Sequence, residues 1–261
     1  NVDEAALAQG PDVHFYDPDS PVWKAVKDKK YPLIVELHSC NRKIGPRALG
    51  FNTGHVFDVD NTDPRSTSAA LMEGRRQAAQ YRDAFAEYHP AFADSFLAAT
   101  GSLLGVRETR RVTGDYVLNI EDYRACRSFE DEICRNAYGI DVHSSRERAL
   151  ELAGKSIEEL KEFNRQVTRR LPAGQSVGVP YRCLTPRGMR NLLVAGRCIS
   201  TDRPTNGSVR IMACCLNTGE AAGIAAAMAA AGEGDVHAVD TARLREKLVS
   251  FGAWLPEGAG E

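Results

Sequence analysis

The stretch Asn191–Ala230, NLLVAGRCISTDRPTNGSVRIMACCLNTGEAAGIAAAMAA, decides how the fold of this chain is read. It opens with a short apolar run, Leu192-Leu193-Val194-Ala195, of the kind that forms a strand buried on both faces. The run meets Gly196, then a loop, then an alanine-rich segment that predicts a helix. Along that helix Gly219, Gly223, Ala226, Ala227 and Ala230 fall three or four apart and share one face. A face without bulk lets the helix backbone approach a sheet or a ligand closely. The loop ahead of it can aim the helix start, with its free N–H groups and partial positive charge, at an electron-rich ring or a phosphate. Spacing alone equally fits a plain strand followed by a buried alanine-rich helix.

Working outward, the 261 residues suffice for one large or two modest domains. With 33 basic and 35 acidic residues the formal charge is −2, which leaves no nucleic-acid footprint and no polybasic membrane patch. No apolar run approaches membrane-spanning length and no signal peptide is visible. The seven cysteines are Cys40, Cys126, Cys134, Cys183, Cys198, Cys214 and Cys215. None forms a CxxC pair or a Cys/His group with zinc spacing, so no metal site is expected, and reduced thiols in a cytoplasmic protein are the simplest account. Small size alone explains the vicinal pair Cys214-Cys215.

Upstream, Pro32–Leu37 (PLIVEL) and Gly54–Val59 (GHVFDV) read as strands. From Ser66 a long helix is expected, with Leu71, Gly74, Ala78, Tyr81, Phe85 and Tyr88 as its stripe and Arg75, Arg76 and Arg82 opposite; Pro90 ends it. Gly105–Leu118 reads as strand, bend at Gly114, and strand. Asn119 then caps a helix expected over 121–136. Ser144 with Glu147 and Ser156 with Glu159 spell capping boxes for helices reaching about Leu171, the second with Ile157, Leu160, Val167 and Leu171 on one face. A final helix spans Thr241–Gly252.

Three pieces together carry a resemblance: Tyr181-Arg182-Cys183-Leu184-Thr185-Pro186, the run Asn191 to Ser200, and Gly219-Glu220-Ala221-Ala222-Gly223. With the block Gly105-Val106-Arg107-Glu108-Thr109-Arg110-Arg111, they resemble the C-terminal part of the FAD-dependent oxidoreductases, within the broad glutathione-reductase-like flavoproteins. The resemblance implies an α/β fold, α+β in this piece, in which the last strand and helix complete a parallel FAD-binding sheet beside a substrate sheet and several helices. It implies a substrate and cap region over 1–171 with a helical insertion, the end of the FAD-binding domain over 172–232, and a C-terminal helix and tail over 233–261. The GxGxxG turn that would contact the FAD pyrophosphate is not found in the sequence, and the chain starts at Asn1. It therefore reads as a C-terminal fragment or separate subunit, inactive by itself, partnered by an N-terminal FAD-binding segment and prone to self-association through an apolar face. A non-catalytic interaction domain derived from a flavoprotein is the alternative.

What the resemblance implies for residues follows. FAD takes a hydride from a small organic substrate, and the helix beginning near Leu216-Asn217-Thr218-Gly219 stabilises the reduced ring through its N–H groups. Gly196, Arg197, Cys198, Ser208, Arg210, Leu216, Asn217, Thr218, Gly219 and Gly223 are its candidate cofactor contacts. Many relatives in the wider superfamily have Asp where this chain has Arg197. Arg107 or Arg110 would position an anionic or polyhydroxylated substrate through the planar guanidinium fork, although a solvated salt-bridge ladder fits the same spacing. His143 is the expected acid–base residue, since a base near neutral pH is what the proton loss requires and imidazole is the side chain suited to it. His38 and His55 are weaker candidates, and His14, His89 and His237 have no supporting context.

Overall fold

The computed structural model describes residues 1–14, 17–143, 145–167 and 170–256, with backbone alone at 164, 166 and 167. The chain runs through α1 (Glu4–Gln9), α2 (Pro21–Asp28), β1 (Ser39–Gly45), β2 (Ala48–Thr53) and α3 (Pro64–Tyr88). Next come α4 (Ile120–Arg124), β3 (Glu132–Asn136), α5 (Arg146–Ala153), α6 (Ile157–Val167) and β4 (Val177–Pro180). The last elements are α7 (Arg203–Val209), α8 (Met212–Ala230) and α9 (Thr241–Ser250). This is a mixed α+β chain of nine helices and two small antiparallel sheets among the described residues. It divides into two compact units, Asn1–Val106 with His143–Arg165, and Arg107–Val142 with Gln166–Glu261.

In the first unit α3 forms as its stripe requires. Asp63 accepts from the Arg65 N–H, Pro64 occupies the first turn, and His89-Pro90 stops the helix. Tyr81, Ala84 and Phe85 bury against Val22, Ala25, Ile34 and Phe92, while Arg75, Arg76 and Arg82 stay exposed. Each large apolar side chain so buried contributes about 1.5–3 kcal/mol.

The two expected strands do not form here. The antiparallel pair is instead β1 with β2, turning at Pro46-Arg47 where Arg47 has φ 55°. The backbone of the Pro32–Leu37 run is taken by α3: the Leu33 N–H donates to Gln80 Oε1 at 2.8 Å, and Gln77 Nε2 donates to Leu33 O at 2.9 Å. In Gly54–Val59, positive φ at Gly54 (75°) and Asp58 (59°) breaks the extended run. The Ser156–Glu159 capping box forms in both directions, at 2.8 and 3.3 Å. Leu160 buries beside Trp23 and Leu37. Ser144 lies outside the described residues; its neighbour Ser145 caps α5.

The second unit holds its own core, which includes Leu118, Tyr123, Ile133, Val177, Val179, Leu184, Ile199, Ala221, Ala225 and Leu244. The helix expected over 121–136 is only α4. Asn119 and Asp122 do form a capping box, but Cys126 at φ 50° ends the turn and the chain re-enters as β3, antiparallel to β4. Gly105–Leu118 is not a strand. Its second half runs in extended form over the loops that follow β4, with Val112, Tyr116 and Leu118 N–H donating to the carbonyls of Cys198, Arg182 and Ser200. Gly114 sits so close that a Cβ there would lie 2.8 Å from Arg182 O and Ser200 Cβ.

A parallel FAD-binding sheet is not shown among the described residues. Among the described residues, Leu192–Ala195 makes one backbone bond to another segment, Val194 N–H to Leu184 O at 2.9 Å, and joins no ladder. The parallel pairing among the described residues is a single bridge, Leu118 with Thr201. The helix after it also begins a full turn earlier than Leu216, at Met212, because Arg203-Pro204 starts a separate helix, α7, capped by Asp202. Among the described residues no single helix is long and apolar enough to cross a membrane.

Candidate functional site

Two sets of residues with chemistry emerge, one in each unit. In the second unit, α8 turns Cys214, Thr218, Ala221, Ala225 and Ala229 into the core. The small residues Gly219, Gly223, Ala226, Ala227 and Ala230 lie on the opposite side and are exposed, beside Met212 (84 % exposed) and Leu216 (73 %). A Cβ added at Gly219 or Gly223 would meet nothing within 4 Å. The expected close approach of this face to a sheet is therefore absent within the described chain. The α8 N-terminus has no side-chain cap, so its first N–H groups are uncapped.

Gly196 has φ 75°, and its N–H donates to Thr218 Oγ1 at 3.0 Å, while that hydroxyl reaches the Cys214 and Cys215 carbonyls. Thr218 thus ties the 196 turn to α8 rather than presenting itself to a ligand. Ser208 is likewise committed: it is fully buried, accepts from Asn136 Nδ2 and donates to Tyr138 O, both at 2.6 Å. Arg197 and Asn217 are exposed, and the half-buried Cys198 thiol donates to Ala195 O at 3.4 Å. A hydrogen bond with Cys134 and then burial push the Cys214 thiol up, and burial lifts Cys183 to about 12, so neither is a ready nucleophile.

Around Glu108 four arginines gather. Arg203 Nε stands 3.4 Å from its carboxylate, Arg111 3.8 Å and Arg210 3.9 Å, while Arg107 pairs with Asp141 at 3.2 Å. Arg210 also donates to Asp141 O at 2.6 Å and is almost wholly buried, which lowers its basicity from the ordinary arginine value. Four guanidinium groups against the Glu108 and Asp141 carboxylates leave a positive excess. Because the segment is not a strand, Arg107, Glu108 and Arg111 share this cluster, and strict alternation of faces fails. Arg110 is exposed.

Next to this cluster, Ser200 Oγ, Thr201 Oγ1, Thr205 Oγ1 and Asn206 Oδ1 are buried polar atoms with no hydrogen-bond partner among the described residues, while Glu108 Oε2 has only its ion pairs with Arg111 and Arg210. Buried polar groups are nearly always bonded, so such a concentration marks a place where something else supplies the partners. Arg203 and Thr201 were not among the sequence candidates. The signal available was the Asp202-Arg203-Pro204 helix start, which fixes where α7 points its first turn.

In the first unit three imidazoles converge. His143 lies with its ring centroid 4.5 Å from His55 and 5.8 Å from His38, and His38 lies 5.7 Å from His55. His55 Nδ1 is in a short contact with the buried carboxylate of Glu36. Two of these rings were the weaker sequence candidates, and Glu36 was not one. His89 and His237 are held in other contacts. His89 is buried between Pro11 O and the Ala91 N–H, and His237 sits between Asp115 and Met189 O, with the Asp115 carboxylate raising its basicity. Among the described residues no three His, Cys, Asp or Glu side chains are grouped to hold a metal ion.

No curated protein and no solved structure matches the chain. A family model does, that of the FAD dependent oxidoreductases, over residues 13–248. The chain is a member of the FAD-dependent oxidoreductase family.

Proposed function

We propose that this chain supplies the substrate region and the C-terminal flavin contacts of an oxidoreductase that oxidises a small organic substrate by hydride transfer to FAD. The flavin site is completed by a GxGxxG-bearing segment, of the same protein or of another chain, within the glutathione-reductase-like superfamily. The observation that carries this reading is the concentration, among the described residues, of buried polar atoms without a hydrogen-bond partner at Ser200–Asn206, inside the family match and beside four arginines. A polar cofactor would supply what those atoms lack, so the residues present fit the group.

When bound, the flavin accepts the hydride. Gly196, Arg197, Cys198 and the exposed residues Leu216, Asn217, Gly219 and Gly223 would lie along it, with Arg210 adding positive charge from the arginine cluster. The uncapped first turn of α8 offers N–H donors and the positive end of its dipole to developing negative charge. Ser208 and Thr218 act behind this surface, holding Tyr138 and Gly196 in place. Arg107 or Arg110 orients an anionic or polyhydroxylated substrate, and His143 takes the proton that leaves as the hydride is lost. The seven free thiols support a reducing, cytoplasmic setting. The exposed apolar face of α8 supports cover by the completing segment, or by a second copy when that segment is missing.

An FAD titration followed by the visible spectrum tests the reading. The chain alone is expected to bind flavin weakly or not at all, and the protein that also carries the GxGxxG segment to be yellow. A completed protein that holds no flavin favours the second reading, an interaction domain that has lost the cofactor.

A further inference from the structure

The histidine cluster is built more carefully than a structural contact needs. Glu36 is buried, and the neighbouring His55 Nδ1 faces its carboxylate. A carboxylate only accepts, so Nδ1 carries the ring proton and Nε2 is left with its lone pair. That Nε2 is buried and has no hydrogen-bond partner among the described residues. The backbone of His55 is pinned as well: its carbonyl accepts from Gln77 Nε2 at 3.1 Å. The preceding Gly54, at φ 75°, sits where a Cβ would lie 2.6 Å from Gln77 Oε1 and 2.8 Å from the Tyr81 ring. With φ 75° and this close approach, a larger residue at 54 would be strained, so the backbone leading to the ring is fixed.

We propose that Glu36, His55 and His143 form a proton-accepting site for a hydroxyl-bearing ligand, with His55 Nε2 as the final acceptor and Glu36 as the group that fixes its tautomer. The proposal rests on the oxidoreductase reading only for the identity of the ligand, a carbinol that loses a hydride. The ligand O–H bond breaks as an N–H bond forms on half-buried His143. His143 gives up the proton on its other nitrogen, and a new N–H bond forms at His55 Nε2. A bound flavin would take up the carbinol hydride, which with the proton lost to the histidines leaves a carbonyl compound. The imidazolium so formed sits against the Glu36 carboxylate, and total charge is conserved. The other groups facing the pair are His38, Cys40, whose Sγ is 3.7 Å from His38 Nε2, and Tyr81. Arg146, ion-paired with Asp58, lies over Phe57, which neighbours His55. Burial, with Glu36 nearby, holds the Tyr81 phenol far above its usual range, so it does not compete for the proton.

The test is nitrogen-15 NMR of labelled histidine rings in this chain across neutral pH, for the wild type, Glu36→Gln and His143→Gln, with circular dichroism to confirm folding. The expected result is a neutral His55 that carries its proton on Nδ1 in the wild type and loses that preference in Glu36→Gln. In His143→Gln the Nδ1 tautomer of His55 is expected to persist, because Glu36 fixes it, while the ring signals of His55 move with the loss of the neighbouring ring 4.5 Å away. A neutral His55 protonated on Nε2 in the wild type, or ring signals of His55 untouched by His143→Gln, overturns the proposal. If Glu36→Gln does not fold, the wild-type tautomer and the His143→Gln signals still decide. None of these signals needs flavin, so failure of the flavin reading and failure of the proton site are separately visible.

Discussion

α3 and α8 are the two long helices of this chain, of 25 and 19 residues, and they handle their outer faces in opposite ways. α3 turns Tyr81 and Phe85 inward and arginines outward, the pattern of a helix covered on one side and wet on the other. α8 has one charged residue, Glu220, and is small or apolar nearly all round. Its inner face is buried, while Met212, Leu216, Gly219 and Gly223 look outward. A helix that is apolar on every side belongs between two layers. The difference teaches that α3 is finished by its own unit, whereas the outer face of α8 is shaped for something laid against it, in the proposed reading the flavin and the segment that holds it.

Substitutions can break or sharpen this contrast. The largest effect is expected on the inner face of α3, where Phe85→Ala should cost about 3–5 kcal/mol of stability by opening a cavity among Tyr81, Phe92 and Phe51, measured by denaturant unfolding. On the inner face of α8, Thr218→Val keeps the volume but removes the acceptor of the Gly196 N–H. It should cost about 1–3 kcal/mol, with the exchange of that amide accelerated in hydrogen-exchange measurements. The outer face of α8 should behave in reverse: Gly219→Ala meets no atom within 4 Å and should stabilise the chain by about 0.5–1 kcal/mol through helix propensity. Smallest is the outer face of α3, where Arg82→Ala, losing only an exposed pair with Asp83, should change stability by less than about 0.5 kcal/mol in the same assay. Destabilisation by Gly219→Ala would mean the outer face of α8 is already packed, and the contrast with α3 would fail.

The parts of this picture legible in the sequence are those set by neighbours along the chain. The α3 stripe, the Pro90 stop, the Asn119 cap and the Ser156–Glu159 box depend on residues a turn or so apart, and the structure has them. Strand pairing was not legible, because an apolar run such as Pro32–Leu37 says nothing about which groups take its backbone bonds. Here the Gln77 and Gln80 side chains take them. The same holds for Leu192–Ala195, whose expected parallel sheet is not seen among the described residues. β3 was hidden by an Asn-capped charged stretch that reads as helix until Cys126 turns it. Arg107, Arg210 and His143 were visible as residue types suited to the chemistry. Their company was not, since the meeting of Glu36, His38, His55 and His143, or of Glu108 with Arg203, spans many residues of sequence and is set by tertiary packing alone.

The most direct test is the visible spectrum of purified protein in which this chain is joined by the GxGxxG segment, compared between wild type and Gly219→Trp. Since Gly219 faces open space, the indole should leave the folding of the chain intact while occupying the surface assigned to the flavin. A yellow wild type with stoichiometric FAD and a folded, colourless variant is the predicted result. Full retention of FAD by the variant would contradict the assignment of the outer face of α8 to the flavin.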